Sequence, residues 1–172
     1  MSFDPVRVPA RRLSLALCLT FTALVASCQV RPLYNETAAT QANLGAIAYS
    51  DATSRVELEV RNQLIFMTGG GSGEPASPQY RVKLKVSSSA GEVLDSQSTV
   101  AQTGRVLVIG NYILERVSDG TVLKVGTRKT VALVDFPFQE FAKLRAIRDA
   151  ENRGARELAE LIRADLSMVL GR

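Results

Sequence analysis

Apolar and polar residues change their spacing several times along this chain, and each spacing predicts an element. Tyr80-Arg-Val-Lys-Leu-Lys-Val86 alternates strictly. Tyr80, Val82, Leu84 and Val86 fall on one side of a strand, and Arg81, Lys83 and Lys85 on the other, which predicts a half-buried strand with a basic open face. Ser88–Gly91 reads as a turn. Ser96 to Glu115 is strand-like again and apolar on both sides through "RVLVIGNYIL". Gly110 marks either a bulge or a close-approach point. Ser118-Asp-Gly120 reads as a hairpin turn, with "TVLKVGTRKTVALVDF" as the return strand. A hairpin with two apolar sides needs cover on both. One side suits the domain's own helices; a protein contact, or a bulge that switches sides, accounts for the other.

Helical spacing appears twice. In Arg55–Thr68, Val56, Val60, Leu64 and Met67 share one face, with Leu58 and Ile65 opposite. Ser54-x-x-Glu57 has the form of a capping box, and Gly69 supplies a stop. "VELEV" within it also alternates as a strand would; the cap and the longer pattern favour helix. After Pro137, which suits a first helical turn, a long amphipathic helix is predicted. Its stripe holds Leu144, Ile147, Ala150, Leu158, Leu161, Ile162 and Val169, and Gly171 closes it. Arg145, Asp149, Arg156, Glu160 and Arg163 lie opposite. Gly154 and Ala155 are small enough for close packing on a sheet. A short strand near Ala46–Ser50 precedes the first helix. The order is β-α-β-β-β-α, and the expected fold class is α+β: a two-layer sandwich with a mainly antiparallel four-stranded sheet packed by two helices. There is no internal repeat and no sign of a second domain.

The first 27 residues have a different pattern. Arg7, Arg11 and Arg12 precede the uncharged apolar run "LSLALCLTFTALV", and small residues follow. That is the layout of a secretory signal. The run is shorter than the ~20 residues of a membrane-spanning helix, so an uncleaved anchor is the weaker alternative. Val25-Ala26-Ser27-Cys28 resembles the bacterial lipobox, which implies cleavage before Cys28, diacylglycerol on its sulfur and an acyl chain on its new amino group. Cys18 follows Leu17, where a small residue is wanted. Gln29, rather than Asp, after the cysteine implies an outer-membrane destination facing the periplasm. Expected domains are therefore 1–27 as signal, 28–45 as lipid-anchored tether and 46–172 as a single α+β domain.

Composition narrows the function. The chain has no histidine, and its two cysteines both lie in the N-terminal 28 residues. With Cys18 removed and Cys28 lipidated, no disulfide, cysteine redox pair or Cys/His metal site is expected, and no cofactor beyond the acyl groups. Three of the 21 basic and one of the 17 acidic residues precede Cys28, leaving 18 and 16. Near-neutrality argues against nucleic acid as a partner. Glu57 with Glu59, and Asp149 with Glu151, are the close acidic pairs a carboxylate enzyme would use. At i, i+2 on a helix they do not face each other, so no enzyme is expected. "GGGSGEPASP" at 69–78 lacks the G-K-[ST] ending of a phosphate loop and reads as a flexible linker. "YNET" at 34–37 fits a glycosylation pattern that a bacterial lipoprotein leaves bare.

Taken in order, these motifs resemble the LPS-assembly lipoprotein family. The resemblance rests on Cys28 followed by Arg31-Pro32-Leu33-Tyr34, on Arg61-Asn62-Gln63-Leu64 in the first helix, and on Tyr80, Arg105, Tyr112 and "TRKTVALVDF" in successive strands before an Ala- and Arg-rich helix. It spans nearly all of residues 28–170. The Gly-rich loop is not part of it. It implies a lipoprotein that plugs an outer-membrane LPS-assembly β-barrel, helps it fold and contacts lipopolysaccharide. By position, Arg105 and Arg128 look similar to basic residues that contact LPS in the family, with Lys129 and Lys124 as neighbours. Arginine would grip the acidic groups around lipid A through charge-assisted hydrogen bonds. The alternative role is an auxiliary lipoprotein of an ABC-type lipid transporter.

Overall fold

The computed structural model describes residues 38–92 and 102–171. Seven elements follow one another: helix α1 (Ala38–Gly45), strand β1 (Ile47–Tyr49), helix α2 (Arg55–Gly69), strands β2 (Tyr80–Glu92), β3 (Gln102–Arg116) and β4 (Val122–Phe136), and helix α3 (Glu140–Leu170). The four strands form one sheet in the order β1-β2-β3-β4. β1 is parallel to β2; the other pairs are antiparallel. The helices pack on one side of this sheet, so the fold is the α+β two-layer arrangement that the pattern predicts, with α1 added.

Alternation decides which side is the core. Val82, Leu84 and Val86 of β2, Val106, Val108, Tyr112 and Leu114 of β3, and Ala132 of β4 are all buried with Val60 and Leu64 of α2 and Leu158, Ile162 and Leu166 of α3. Tyr112 stands on this side, and its ring fills the space that a side chain at its cross-strand partner Gly126 would need. Phe136 covers Gly104 in the same way.

Several local expectations change. Ala38–Gly45, whose composition suggests a tether, is a helix that buries Thr40 and Leu44. Ser88–Gly91 is strand, because β3 continues opposite it as far as Gly104. Pro137 lies outside α3, whose N-cap is Gln139. Gly110 is the close approach and not the bulge: a Cβ there would lie 2.9 Å from Leu158 Cδ2. The irregular register falls at Leu114/Glu115. In α3, Leu144 and Leu161 are exposed, while the buried stripe runs through Ala150, Gly154, Ala155, Leu158, Ala159, Ile162, Asp165 and Leu166. The buried stripe combines small residues with Leu158, Ile162 and Leu166, and Leu144 and Leu161 fall off it.

Half of the capping box of α2 forms, while its acidic member turns to Thr53 and to the sheet. Ser54 accepts from Glu57 N, as predicted. The buried Glu57 carboxylate accepts from Thr53 N at 3.2 Å and from Val86 N at 3.1 Å. It thereby satisfies a β2 amide beyond the end of the short β1. α2 ends one residue later than expected, with Gly70 left-handed at φ 57°. The Gly-rich segment is tied down: Glu74 accepts from Tyr49 N at 2.9 Å and pairs with Arg61 at 2.6 Å, while Arg61 Nε donates to Ser50 O. Arg61 and Leu64 of the R-N-x-L motif are thus structural, one bracing this corner and the other buried in the core.

Candidate functional site

Among the described residues the helices lie on one side of the sheet and no element covers the other, and register assigns that side's residues. β2 contributes Arg81, Lys83 and Lys85; β3 contributes Arg105, Leu107, Ile109, Asn111 and Ile113; β4 contributes Val125, Thr127, Lys129, Val131, Leu133 and Asp135. Val125, Val131 and Leu133 are 65%, 51% and 64% exposed. A row of exposed branched residues beside five cations is unusual for a free sheet surface and makes this the candidate interaction face. The sequence pattern foresaw both its basic and its apolar character, and parity is kept from Gln102 to Leu114 of β3 and from Lys124 to Phe136 of β4, the register shift lying beyond them at Leu114/Glu115.

Lys83, Lys85, Asn111, Ile113, Val125 and Thr127 line a groove of about 510 Å³ on this side. Its floor is aliphatic. Thr127 donates to Asn111 Oδ1 at 2.7 Å, Lys83 pairs with Glu115 at 2.7 Å, and Lys85 Nζ donates to Thr53 Oγ1 at 3.2 Å.

The four basic residues singled out for anion contact do not form one cluster. Arg105 and Lys129 are exposed on the open side. Lys124 and Arg128 have even β4 positions and stand on the helix side. Arg128 donates through Nε to Asp165 Oδ2 at 2.7 Å and through Nη2 to Oδ1, a bidentate pair. The Tyr112 hydroxyl donates to the same carboxylate. Burial opposes the charge on Asp165, but the hydrogen bonds from Arg128 and Tyr112 and the attraction of Arg128 and Lys124 outweigh it and hold the carboxyl below its usual range. Burial, then the bond to Asp165, pushes the Tyr112 phenol up. Arg128 thus pairs with α3 on the helix side and does not share the open side with Arg105 and Lys129. Asp165 was missed in the sequence, although a signal exists: it lies three residues beyond Ile162, on the apolar stripe.

The acidic pairs considered for catalysis are engaged elsewhere. Glu57 accepts from Thr53 and Val86, Glu59 lies 3.5 Å from Arg156, Asp149 pairs with Arg153 at 3.0 Å, and Glu151 binds Arg55 and Ser88. Among the described residues no His/Cys/Asp/Glu group is arranged to hold a metal, and no helix is long and apolar enough to cross a membrane. Cys28, Arg31–Tyr34 and the "YNET" stretch lie outside the described residues.

No protein-family model matches the sequence, and no curated protein matches it. Solved structures do share the fold. A Caulobacter crescentus chain designated a lipoprotein superposes with a TM-score of 0.62 at 18% identity, covering 77% of this chain and 96% of that one. A minor lipoprotein of Acinetobacter baumannii gives 0.52 at 11% identity, over 71% and 88% of the two chains. Rare lipoprotein B of Shewanella oneidensis gives 0.51 at 14% identity, over 71% and 90%. At these identities the likeness establishes the fold.

Proposed function

We propose that this chain is an outer-membrane lipoprotein, anchored through acyl chains on Cys28, that plugs and helps assemble an LPS-translocating β-barrel. The observation that carries the reading is the open side of the sheet. It is too apolar to be a solvent surface and too basic to be a buried one, and a barrel lumen offers polar walls on several sides together with a passing acidic amphiphile. The lipobox and the fold shared with three bacterial lipoproteins support the anchor. More than one acyl chain makes such anchoring stable. No chemical step is required of the protein; its work is binding and positioning.

Two expected results test this. Wild-type protein extracted gently in detergent at native expression is expected to co-purify with an outer-membrane barrel, and Cys28→Ala to be lost from the membrane fraction. Recovery as a free monomer would sink the reading. Cross-linking to an inner-membrane permease in place of a barrel would select the ABC-transporter alternative.

The anion-contact assignment moves to the residues that share the open side. Arg105→Glu with Lys129→Glu is expected to weaken LPS binding by at least about tenfold, since each reversal replaces an attraction by a repulsion. Barrel co-purification should be retained. Unchanged LPS affinity in a binding titration would remove these two residues from the site and leave the barrel reading standing. Arg128 is unsuitable for this test because its loss would strand Asp165.

A further inference from the structure

The two edges of the sheet are finished differently. Around the short β1, four backbone amides are held outside the regular ladder. Ser50 N donates to Val82 O at 2.9 Å, Leu84 N donates to Ser50 Oγ at 3.0 Å, Val86 N donates to Glu57, and Glu74 takes Tyr49 N from outside. Ser88 Oγ donates to Glu151 further along. Such side-chain capping is how proteins keep an edge from recruiting another strand.

The same bonds fix the direction of every backbone group across the sheet. Even residues of β2 turn their N–H and C=O towards β1. Its odd residues therefore bond the odd residues of β3, the even residues of β3 bond the even residues of β4, and the odd residues of β4 point outwards. Arg153 supports this independently: its Nη2 donates to Leu133 O at 3.2 Å from outside the ladder. The outward set is Val125, Thr127, Lys129 and Val131, with Leu133 partly occupied. Among the described residues no strand lies beyond β4. This stretch has no proline, and its register shift is confined to the far end at Leu114/Glu115. Among the described residues it is a long edge whose backbone groups from Val125 to Val131 point outwards unpaired.

We infer that the outer edge of β4 is a strand-acceptor site, on which an extended segment of the barrel partner pairs by β-augmentation. This rests on the barrel reading above. The side chains of the outward residues also specify the guest. Val125 and Val131 stand exposed beside Lys129, so the complementary strand carries apolar residues flanking an acidic one that meets Lys129 across the pair. Adding it would extend the apolar rows of the open side without disturbing the helix layer.

The test is Val131→Pro. This removes an outward N–H and leaves every β3–β4 hydrogen bond in place, because Val131 is not a donor to β3. Proline is tolerated at such an edge position. Co-expressed in cells, wild type is expected to bring down the barrel and Val131→Pro to recover at least about tenfold less of it, with an unchanged circular dichroism spectrum confirming the fold. Should the variant unfold, amide hydrogen exchange on the wild-type protein decides. In the free protein the amides of Thr127, Lys129 and Val131 should exchange fast and those of Arg128 and Thr130 slowly; in the complex the fast set should slow at least about tenfold. Full barrel recovery by a folded Val131→Pro, or no slowing of the fast set in the complex, overturns the edge assignment alone. Absence of a barrel from wild-type preparations overturns both it and the reading it rests on.

Discussion

Asp165→Ala is expected to lower the unfolding free energy by about 3 kcal/mol, read as a fall in the urea midpoint at unchanged slope. The loss comes mainly from Tyr112. Its hydroxyl is buried, donates to Asp165, and would be left without an acceptor. Arg128 contributes less, because its side chain is 45% exposed and can turn to water. Asp165→Asn separates charge from shape and exposes a pH signature. In the folded protein this carboxyl is held below its usual value, so its contribution is fully present above the unfolded pKa of about 3.9 and is lost as pH falls through the folded value. Wild type should therefore lose stability over that acid window more steeply than Asp165→Asn. Parallel curves for the two proteins would show that the cluster is not charge-stabilised. Arg128→Met leaves the carboxylate buried with the phenol as its remaining hydrogen-bond partner among these groups, raises the Asp165 pKa and so shrinks the loss of stability over the acid window.

The second large effect is expected at Gly154. α3 crosses the sheet here, with Thr130 Oγ1 donating to Gly154 O at 2.9 Å. A Cβ would stand 2.9 Å from Val108 Cγ2 and 3.4 Å from Thr130 Oγ1. Gly154→Leu should cost about 3 kcal/mol through overpacking, visible as a lower melting temperature. Gly154→Ala is the informative comparison. Alanine gains about 1 kcal/mol of helix propensity over glycine, and the contact with Val108 opposes that gain, so the net change should be small. An equal loss for alanine and leucine would mean that backbone conformation, and not space, holds glycine there. A harmless leucine would mean that the helix can lift off the sheet.

Both positions show where sequence reasoning reaches its limit. Gly154 was legible: a glycine in a long amphipathic helix sacrifices propensity, and close packing is the simple reason for tolerating it. Asp165 was not, because a carboxylate on an apolar stripe can be read only once its partners are known, and Tyr112 and Arg128 lie 53 and 37 residues away. The same distinction applies to the four cations. Alternation assigns parity within a strand, so Arg128 and Lys129 had to point oppositely. It does not say which parity faces the helices. That depends on Thr130 and Ala132 being under α3, a contact between β4 and an element that follows it in sequence.

Local periodicity by itself determined the core strands and both long helices, the cap at Ser54 and the hairpin turn at Asp119-Gly120, because each follows from the geometry of a few neighbouring residues. It also determined that β3 and β4 carry apolar residues on both sides. Only the tertiary structure decided which side the helices cover, that the Gly-rich segment is held by Arg61 and Glu74, and that no further strand lies beyond β4 among the described residues. Those outcomes depend on pairings between residues far apart in the chain, and such pairings are set by packing and register, which no local pattern contains.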